Sequence, residues 1–100
     1  MHTVFSYDLH IPTGNRRTEV ENRIEEILRP FTHVRRLTTF YIVYVPSQAE
    51  WTVLLNQLTE LSRGIPETFR FIMSPPMEGG RYNGILPRGE WDKVNEITNM

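Results

Sequence analysis

The chain opens with alternating apolar and polar residues, a pattern of period two that predicts a β-strand. Over residues 3–9, Phe5 and Leu9 mark one face of this strand, whereas Ser6 and Asp8 mark the other face. The same run is rich in aromatic and β-branched side chains, which pack well on a pleated surface. We therefore expect a first strand that ends just before the sequence PTGN, whose proline and glycine predict a turn.

Two longer stretches repeat apolar residues at intervals of three and four, the spacing of one face of an α-helix. The first helix is predicted to begin at a capping box of Thr18 and Glu21, in which a hydroxyl and a carboxylate satisfy free backbone amides. The second has the same box at Ser47 and Glu50, and Gly64 is expected to end it in the left-handed conformation. The two apolar faces are formed by Val20, Ile24, Ile27, Leu28 and Phe31, and by Trp51, Leu54, Leu55, Leu58 and Leu61.

Further stretches between and after these helices have the character of strands. The segment HVRRLTTFYIVYV predicts a short strand near residues 33–37, a turn at Thr38 and Thr39, and a longer strand at residues 40–45. A single unbroken strand is the alternative for this segment. The segment TFRFIMS alternates again and predicts one more strand. The resulting order is β-α-β-β-α-β, which is the order of the ferredoxin-like fold.

The tail, residues 77–100, combines a Gly-Gly and an Asn-Gly pair with a short helical pattern that includes Trp91. We expect it to form one short strand, which includes Tyr82 and Ile85, and one short helix. A chain of 100 residues can bury one core but is too short for two independent ones. The sequence thus predicts a single α+β domain, a ferredoxin-like sandwich with a core of about residues 1–76, to which the tail adds an extra strand and a short helix.

Composition narrows the classes of function. Charged residues make up 23% of the chain and the formal net charge is -1, so the whole molecule has no net attraction for nucleic acid or an acidic membrane. Any site for a polyanion must therefore be a local patch. The chain has no cysteine, which excludes disulfides, thiolate zinc sites and thiol nucleophiles. No segment approaches the roughly 18 apolar residues that span a bilayer, and no signal pattern opens the chain, so we expect a cytoplasmic protein without a membrane partner.

Asp8 and His10 are two positions apart at the end of the first strand, so their side chains leave the strand from the same face. A carboxylate suits Mg²⁺ or Mn²⁺, and such ions promote phosphodiester hydrolysis by activating water and neutralising phosphate charge. The alternative is that Asp8 bonds to the following turn and His10 is solvated. Two ligands are too few for a metal site in one chain, but a symmetric dimer could bring two copies of Asp8 to one ion.

Five arginines could supply a local patch that binds the phosphates of a nucleic acid. Two of them lie near the start of the first helix, two lie on the second strand and one lies in the tail. The first helix also carries several glutamates, so the pairing of opposite charges along its surface is the alternative role. The candidate residues are Arg16, Arg17, Arg35, Arg36 and Arg81.

Four segments, taken in order, resemble the small CRISPR-associated ferredoxin-fold proteins of the spacer-acquisition nuclease and adaptor type, and their uncharacterised bacterial relatives. These segments are VFSYDLH, TTFYIVYV, TFRFIMSP and GGRYNGILPRGEW. Tyr7 and Asp8, at the end of the first strand, are the sharpest motif of this resemblance. The resemblance implies a homodimer in which the sheets pack or extend across a two-fold axis and the late strand crosses to the partner. It also implies that Asp8 binds a divalent metal, as in members that cleave nucleic acid, whereas other members are non-catalytic adaptors.

Two functions follow as hypotheses. The first is a dimeric nucleic-acid-binding protein with magnesium-dependent endonuclease activity, in which Asp8 is the catalytic residue. The second is a non-catalytic protein-interaction module, such as an adaptor, a toxin-system component or a phage-type inhibitor, which docks a protein partner through an edge strand and the segment GGRYNGILP. Phosphate contacts by several arginines predict an affinity that falls steeply with salt, whereas a protein interface need not show such a fall.

Overall fold

The computed structural model describes residues 1–10, 15–65, 69–79, 82 and 84–100. The elements, in chain order, are β1 (His2–Leu9), α1 (Asn15–Leu28), β2 (His33–Leu37), β3 (Phe40–Tyr44), α2 (Gln48–Gly64), β4 (Phe69–Met73) and α3 (Arg88–Thr98). The four strands and two helices predicted for the core are confirmed, and the break between β2 and β3 excludes a single unbroken strand. None of the helices in these described ranges combines the length and the apolar character that crossing a membrane requires.

The four strands form one sheet in the order β2-β3-β1-β4, and every neighbouring pair is antiparallel. β1 lies inside the sheet and pairs on both sides, so that Phe5 is opposite Tyr41 of β3 and Met73 of β4. β2 carries a shift of register between Arg35 and Leu37. The architecture of the described residues is therefore α+β, as the sequence predicts, with β2 and β4 at the two edges of the sheet.

The main core lies between one face of the sheet and the helices α1 and α2. Most of the residues predicted for the two apolar faces point into this core, where Ile24, Leu54 and Leu58 are fully buried, whereas Leu55 is half-buried and lies outside the cluster. Aromatic side chains line the facing surface of the sheet, and the rings of Phe5 and Tyr41 have their centroids 5.7 Å apart. Because burial of one large apolar side chain contributes about 1.5–3 kcal/mol, this layer is the principal source of stability.

Helix α3 packs against β2 and β3 on the opposite face of the sheet. Val94 and Ile97 of α3 are buried there with Ile42 of β3, and the three residues form a second apolar cluster. Trp91 packs at the margin of this cluster, as expected for a tryptophan that anchors a helix to a sheet. The short helix predicted for the tail is thus confirmed, and over β2 and β3 it makes the sheet the middle of three layers.

Over β4 and the second half of β1, the face of the sheet on which α3 lies is open to solvent. Ser6 and Asp8 of β1 are exposed there, and so are their register partners on β4, Ile72 and Arg70. Strand residues alternate between faces, and the neighbouring Phe5 points into the main core, so these four side chains point away from α1 and α2. We call Ser6, Asp8, Arg70 and Ile72 the open half-sheet.

The start of α1 differs from the sequence prediction. The helix begins at Asn15, so Thr18 lies inside it and the predicted capping box at Thr18 is wrong. Glu21 forms an ion pair of 3.0 Å with Arg17, four residues earlier on the same helix face. The Glu21 carboxylate therefore points along the helix surface to Arg17 and not back to a backbone amide. The spacing of Thr18 and Glu21 alone does not distinguish these two partners.

At α2, the predicted start is confirmed and the predicted stop is not. The Ser47 hydroxyl accepts a hydrogen bond from the Glu50 backbone N–H at 3.3 Å, so the predicted N-cap is present. Gly64 is the last helical residue, but its φ is not positive, and the left-handed stop is therefore wrong. The Ile65 N–H instead reaches back to the Ser62 carbonyl at 3.1 Å, and this tightened last turn ends the helix.

The extra strand predicted for the tail is not found among the described residues. Their one β pairing in this region is an isolated bridge between Met77 and His2 at the start of β1. Ile85 is 99% exposed, and Leu86 packs against the second apolar cluster. Gly84 explains the difference, because its φ of 151° belongs to a region that favours glycine and interrupts the extended run on which the prediction rested.

Candidate functional site

Asp8 lies near the end of β1 on the open half-sheet and is exposed. Its direct register partner on β4 is Arg70, which is exposed on the same face. Opposite charges on directly opposed residues of two antiparallel strands attract each other, with a typical contribution of roughly 0.2–1 kcal/mol. The register therefore places a cation on the strand next to Asp8.

His10 follows the last residue of β1 and is exposed. Within the described ranges, no group of three or more histidine, aspartate or glutamate side chains is arranged to hold a metal ion. In this part of the chain Asp8 and His10 therefore gain no third ligand. The predicted Mg²⁺ or Mn²⁺ site stays a prediction, and it depends on ligands from a second copy.

Arg16 and Arg17 lie in the first turn of α1, and both contact glutamates of the same helix. Arg16 lies 3.8 Å from Glu19 in an exposed pair, and Arg17 forms the 3.0 Å pair with Glu21. Arg17 also donates a hydrogen bond to the Leu9 carbonyl at 3.1 Å, which ties the start of α1 to the end of β1. These contacts support the alternative prediction, in which the charges pair along the helix, and they give Arg17 a structural role.

Arg35 on β2 contacts α1 and the turn that follows β2. Its Nε donates to the Thr38 carbonyl at 2.7 Å, and Nη1 lies 3.8 Å from the Glu25 carboxylate. The guanidinium carbon lies 5.5 Å from the centre of the Tyr41 ring, a distance suited to a cation–π contact. Arg35 therefore points towards the helical layer and not towards the open half-sheet.

Tyr41, Glu25 and Arg35 form a small network that the sequence pattern did not reveal. The Tyr41 hydroxyl donates to Glu25 Oε1 at 2.5 Å, across a separation of 16 residues. Burial first, and then the hydrogen bond to Glu25, raise the pKa of Tyr41 far above its ordinary value. The phenol thus stays protonated and holds Glu25 in place beside Arg35. The only hint in the sequence is a hydroxyl on the buried face of a strand.

The described candidate arginines are interleaved with glutamates and do not form a patch of cations alone. The two candidates on α1 lie in its first turn, whereas Arg35 lies beside Glu25, about 12 Å further along the helix axis at 1.5 Å per residue. The side chain of Arg36 and the whole of Arg81 lie outside the described residues, so their part in a phosphate patch stays a prediction.

A groove of about 1050 Å³ lies between α1 and α2, next to the first of these arginines. Its charged lining contains more glutamates than arginines: Arg16, Arg23, Glu19, Glu26 and Glu60. Two of the arginines in this region already lie close to glutamates, and the local charge is not positive. The groove therefore offers no evident attraction for a phosphate group.

The tail is fastened to the sheet by a hydrogen-bonded pair, the buried His2 and the half-buried Tyr82. His2 is fully buried at the start of β1, and its Nε2 lies 2.5 Å from the Tyr82 hydroxyl oxygen. The other ring nitrogen, Nδ1, is buried without a hydrogen-bond partner among the described residues. Burial, with a smaller effect of the N-terminal ammonium, lowers the pKa of His2, and burial raises the pKa of Tyr82. Both groups are therefore neutral near pH 7.

A second, apolar groove of about 190 Å³ lies between the tail and the strands β2 and β3. Leu37, Phe40 and Leu86 contribute to its lining, together with Ile85. Leu37 and Phe40 are register partners, and Phe40 is in turn the register partner of Ser6. The groove therefore leads directly onto the open half-sheet.

No protein-family model matches the sequence, and no curated protein matches it. The resemblance to the CRISPR-associated proteins, with the functions that it implies, therefore stays a prediction.

Proposed function

We propose that the chain is a ferredoxin-like protein-interaction module, which binds another polypeptide through the open half-sheet and the adjoining edge of β4. The sheet order β4-β1-β3-β2, the antiparallel neighbours and the packing of both core helices on one face support the ferredoxin-like assignment. Such folds serve many unrelated functions, so the fold alone does not choose among them. The choice rests on the surface.

The observation that carries this proposal is a row of four residues across the sheet, of which three are apolar; we call it the apolar row. Leu37, Phe40, Ser6 and Ile72 are successive register partners on β2, β3, β1 and β4. Leu37 is 59% exposed and Ile72 is 77% exposed, and the 99% exposed Ile85 lines the same apolar groove as Leu37. Single exposed apolar side chains are common, but several on one continuous surface mark a place where a partner excludes water.

The distribution of charge favours a protein partner over a nucleic acid. Arg16, Arg17 and Arg35 each lie within 4 Å of a glutamate, so a phosphate would compete with a carboxylate at every one of them. Exposed ion pairs are weak, and such competition lowers affinity without abolishing it. The net charge of -1 adds no long-range attraction. An apolar row, by contrast, contributes to affinity without any charge.

Fluorescence anisotropy with labelled DNA and RNA tests the choice between these partners. A protein that makes about 6–10 phosphate contacts loses about 10³–10⁵ in affinity when salt rises from about 50 to about 200 mM. For this chain we expect weak binding at the lower salt and no comparable loss. Micromolar or tighter binding with a steep dependence on salt would contradict the proposal.

Partner capture with matched variants tests the surface itself. Ile72→Lys places a charge in the apolar row, whereas Val53→Lys makes the same kind of change at a side chain of α2 that is 46% exposed. A partner that binds through the open half-sheet should be retained by the wild-type chain and by Val53→Lys, and lost with Ile72→Lys. Equal retention by both variants would show that the row is not the binding surface.

A magnesium-dependent nuclease is the second candidate, and the exposure of Asp8 on the open half-sheet favours it. In this candidate Asp8 would bind Mg²⁺ or Mn²⁺ and the metal would activate water against a phosphodiester. The test is cleavage of DNA and RNA with and without the metal, by the wild-type chain and by Asp8→Asn. Cleavage that needs the metal and disappears in Asp8→Asn would support this candidate, whereas cleavage unchanged in the variant would contradict it.

A further inference from the structure

The outer edge of β4 has backbone groups that point away from the sheet. The Ser74 N–H donates to the Val4 carbonyl at 2.9 Å, and bonded pairs recur at every second residue of an antiparallel ladder. Arg70 and Ile72 therefore turn their backbone groups towards β1. By the same alternation, the N–H and C=O groups of residues 69, 71 and 73 point outwards.

Of these outward groups, only those of Phe71 and Met73 are free for a partner strand. The Phe69 N–H donates to the Ile65 carbonyl at 3.1 Å, and the Phe69 carbonyl accepts from the Ser62 hydroxyl at 2.9 Å. Among the described residues, no strand pairs with Phe71 and Met73 on this side. The free edge is thus short, with two donors and two acceptors.

The opposite edge of the sheet is better protected against pairing. β2 carries a shift of register between Arg35 and Leu37, and it has charged residues in this stretch. Irregular pairing and charge are the usual devices that keep an edge strand from binding another chain. β4 has no register shift in its pairing with β1, and it exposes the apolar Ile72 next to the free groups. An added strand is therefore expected at β4 and not at β2.

We propose that the free edge of β4 pairs antiparallel with the β4 edge of a second copy of the chain, with the two-fold axis at Ile72. This inference rests on the proposed function and specifies its partner. In this register, Phe71 faces Met73 of the second copy, and Met73 faces Phe71 of the second copy. Every free donor and acceptor of the edge is then used in an inter-strand hydrogen bond.

The neighbouring positions fit the same register. Ile72 faces Ile72 of the second copy in a non-hydrogen-bonded pair, in which side chains approach closely. The two isoleucines, which are exposed in a single copy, therefore cover each other in the dimer. Arg70 faces Ser74 of the second copy, and like charges do not meet. Phe69, whose backbone groups are already bonded, faces Pro75, which has no N–H to satisfy.

The alternative register, with the axis at Phe71, fits less well. It places Met73 opposite Phe69 of the second copy, whose N–H and carbonyl are already bonded within their own chain. It would also leave Ile72 opposite Arg70 rather than opposite an apolar side chain. The bonds that Phe69 already makes therefore favour the axis at Ile72 over the axis at Phe71.

The dimer joins two open half-sheets into one surface and separates the two copies of Asp8. Asp8 lies on β1, the strand next to β4, directly opposite Arg70. Arg70 is two residues from Ile72 along β4. The two Asp8 residues are then three strand spacings of about 4.8 Å apart across the sheet and about four residues apart along it, roughly 20 Å in all. One metal ion cannot bridge that distance, so this dimer and an ion shared by two Asp8 carboxylates exclude each other.

Disulfide trapping tests the register directly. The chain has no cysteine, so Ile72→Cys introduces a single thiol, and its Cα would lie about 4.5 Å from its copy, within the range of a disulfide. Under mild oxidation at micromolar protein concentration we expect rapid formation of covalent dimer. Val53→Cys is the control, because Val53 of α2 is 46% exposed but lies outside both the β4 edge and the apolar row. Equal trapping of the two variants would overturn the proposal.

Sedimentation velocity tests self-association without a cross-link. We expect the wild-type chain of 11.8 kDa to sediment as a dimer at a concentration where Ile72→Lys sediments as a monomer. Two lysines opposed across the axis should weaken association roughly a hundredfold, whereas Val53→Lys on α2 should sediment as the wild type does. A wild-type chain that stays monomeric at every concentration would overturn the inference alone. Steep, salt-dependent binding of nucleic acid would instead overturn the proposed function, whatever the oligomeric state.

Discussion

Replacement of Tyr82 by phenylalanine removes one hydroxyl group from the pair that fastens the tail to the sheet. The ring is kept, and with it the edge contact to the His2 ring, whose centroid lies 5.7 Å from that of Tyr82. The hydrogen bond to His2 Nε2 is lost. Because Nδ1 of His2 is already buried without a partner among the described residues, the variant leaves the whole imidazole without a hydrogen bond from this part of the chain.

The expected cost follows from the burial of His2. A buried polar group that loses its partner destabilises a protein by about 1–3 kcal/mol. In a domain of this size, each 1 kcal/mol lowers the melting temperature by roughly 4–8 °C. We therefore expect Tyr82→Phe to melt at least about 4 °C below the wild type near neutral pH, as measured by circular dichroism.

The matched control for this substitution is Tyr44→Phe. Tyr44 is the register partner of His2 and is half-buried on the same face, but among the described residues it is the Tyr82 hydroxyl that bonds to the imidazole. The control should change stability by less than about 0.5 kcal/mol. If the two variants melt at the same temperature, the pair does not hold the tail to the sheet.

The same histidine predicts a dependence of stability on pH with a definite sign. Burial lowers the pKa of His2 in the folded protein below its ordinary 6.5. The unfolded chain therefore binds an additional proton in the window below about pH 6.5, and stability falls as pH falls towards the folded pKa, by at most about 1.4 kcal/mol per pH unit. Above about pH 6.5 His2 is neutral in both the folded and the unfolded state, so its titration no longer lowers the stability. His2→Gln does not titrate and should lose this part of the slope, and an unchanged slope would contradict the assignment.

Leu54→Ala should destabilise the protein by about 2–5 kcal/mol in urea unfolding, because it opens a cavity in the main core, whereas the exposed neighbour Val53→Ala should cost less than about 1 kcal/mol. Equal costs would show that α2 does not bury the face described. Ser47→Ala should cost about 1 kcal/mol in the same assay through loss of the N-cap of α2, and an unchanged midpoint would contradict that role. The Tyr41 phenol should ionise only well above its ordinary pKa of 10 in an absorbance titration, because burial and the bond to Glu25 raise its pKa, and ionisation near 10 would contradict the network.

The core elements could be predicted because local pattern suffices for them. The apolar face of α2 recurs within a few residues between Leu54 and Leu58, and the alternation of β1 between Phe5 and Ser6 is complete within a short segment. The N-cap at Ser47 could also be predicted from the sequence, because its partner Glu50 is only three residues away. In each case the interacting residues are neighbours in the chain.

The position of the tail could not be predicted, because its contacts join distant parts of the chain. The hydrogen bond between His2 and Tyr82 spans 80 residues, and no local pattern links them. An apolar Ile42 indicates that the second face of β3 is covered, but not that Ile97 of α3 covers it. The glycines of the tail suggested a strand between turns, whereas the φ of Gly84 shows an interrupted extended run.

The candidate site was predictable in part for the same reason. Alternation along β1 places Asp8 on the face opposite the core, and the structure bears this out. The neighbour Arg70 follows from the register of β1 and β4, which the sequence does not fix. The glutamate partners of Arg16 and Arg17 were foreseeable from helical spacing, but the contact of Arg35 with Glu25 depends on the packing of β2 against α1.

Amide hydrogen exchange at Phe71 and Met73, followed by nuclear magnetic resonance, tests the binding role of the β4 edge most directly. In a single copy both N–H groups point outwards from the edge of the sheet and exchange quickly. The β4 pairing predicts that both amides are protected at high protein concentration, and that protection falls on dilution and in Ile72→Lys. If both amides exchange as fast as exposed amides at every concentration, the edge of β4 does not bind a second copy of the chain.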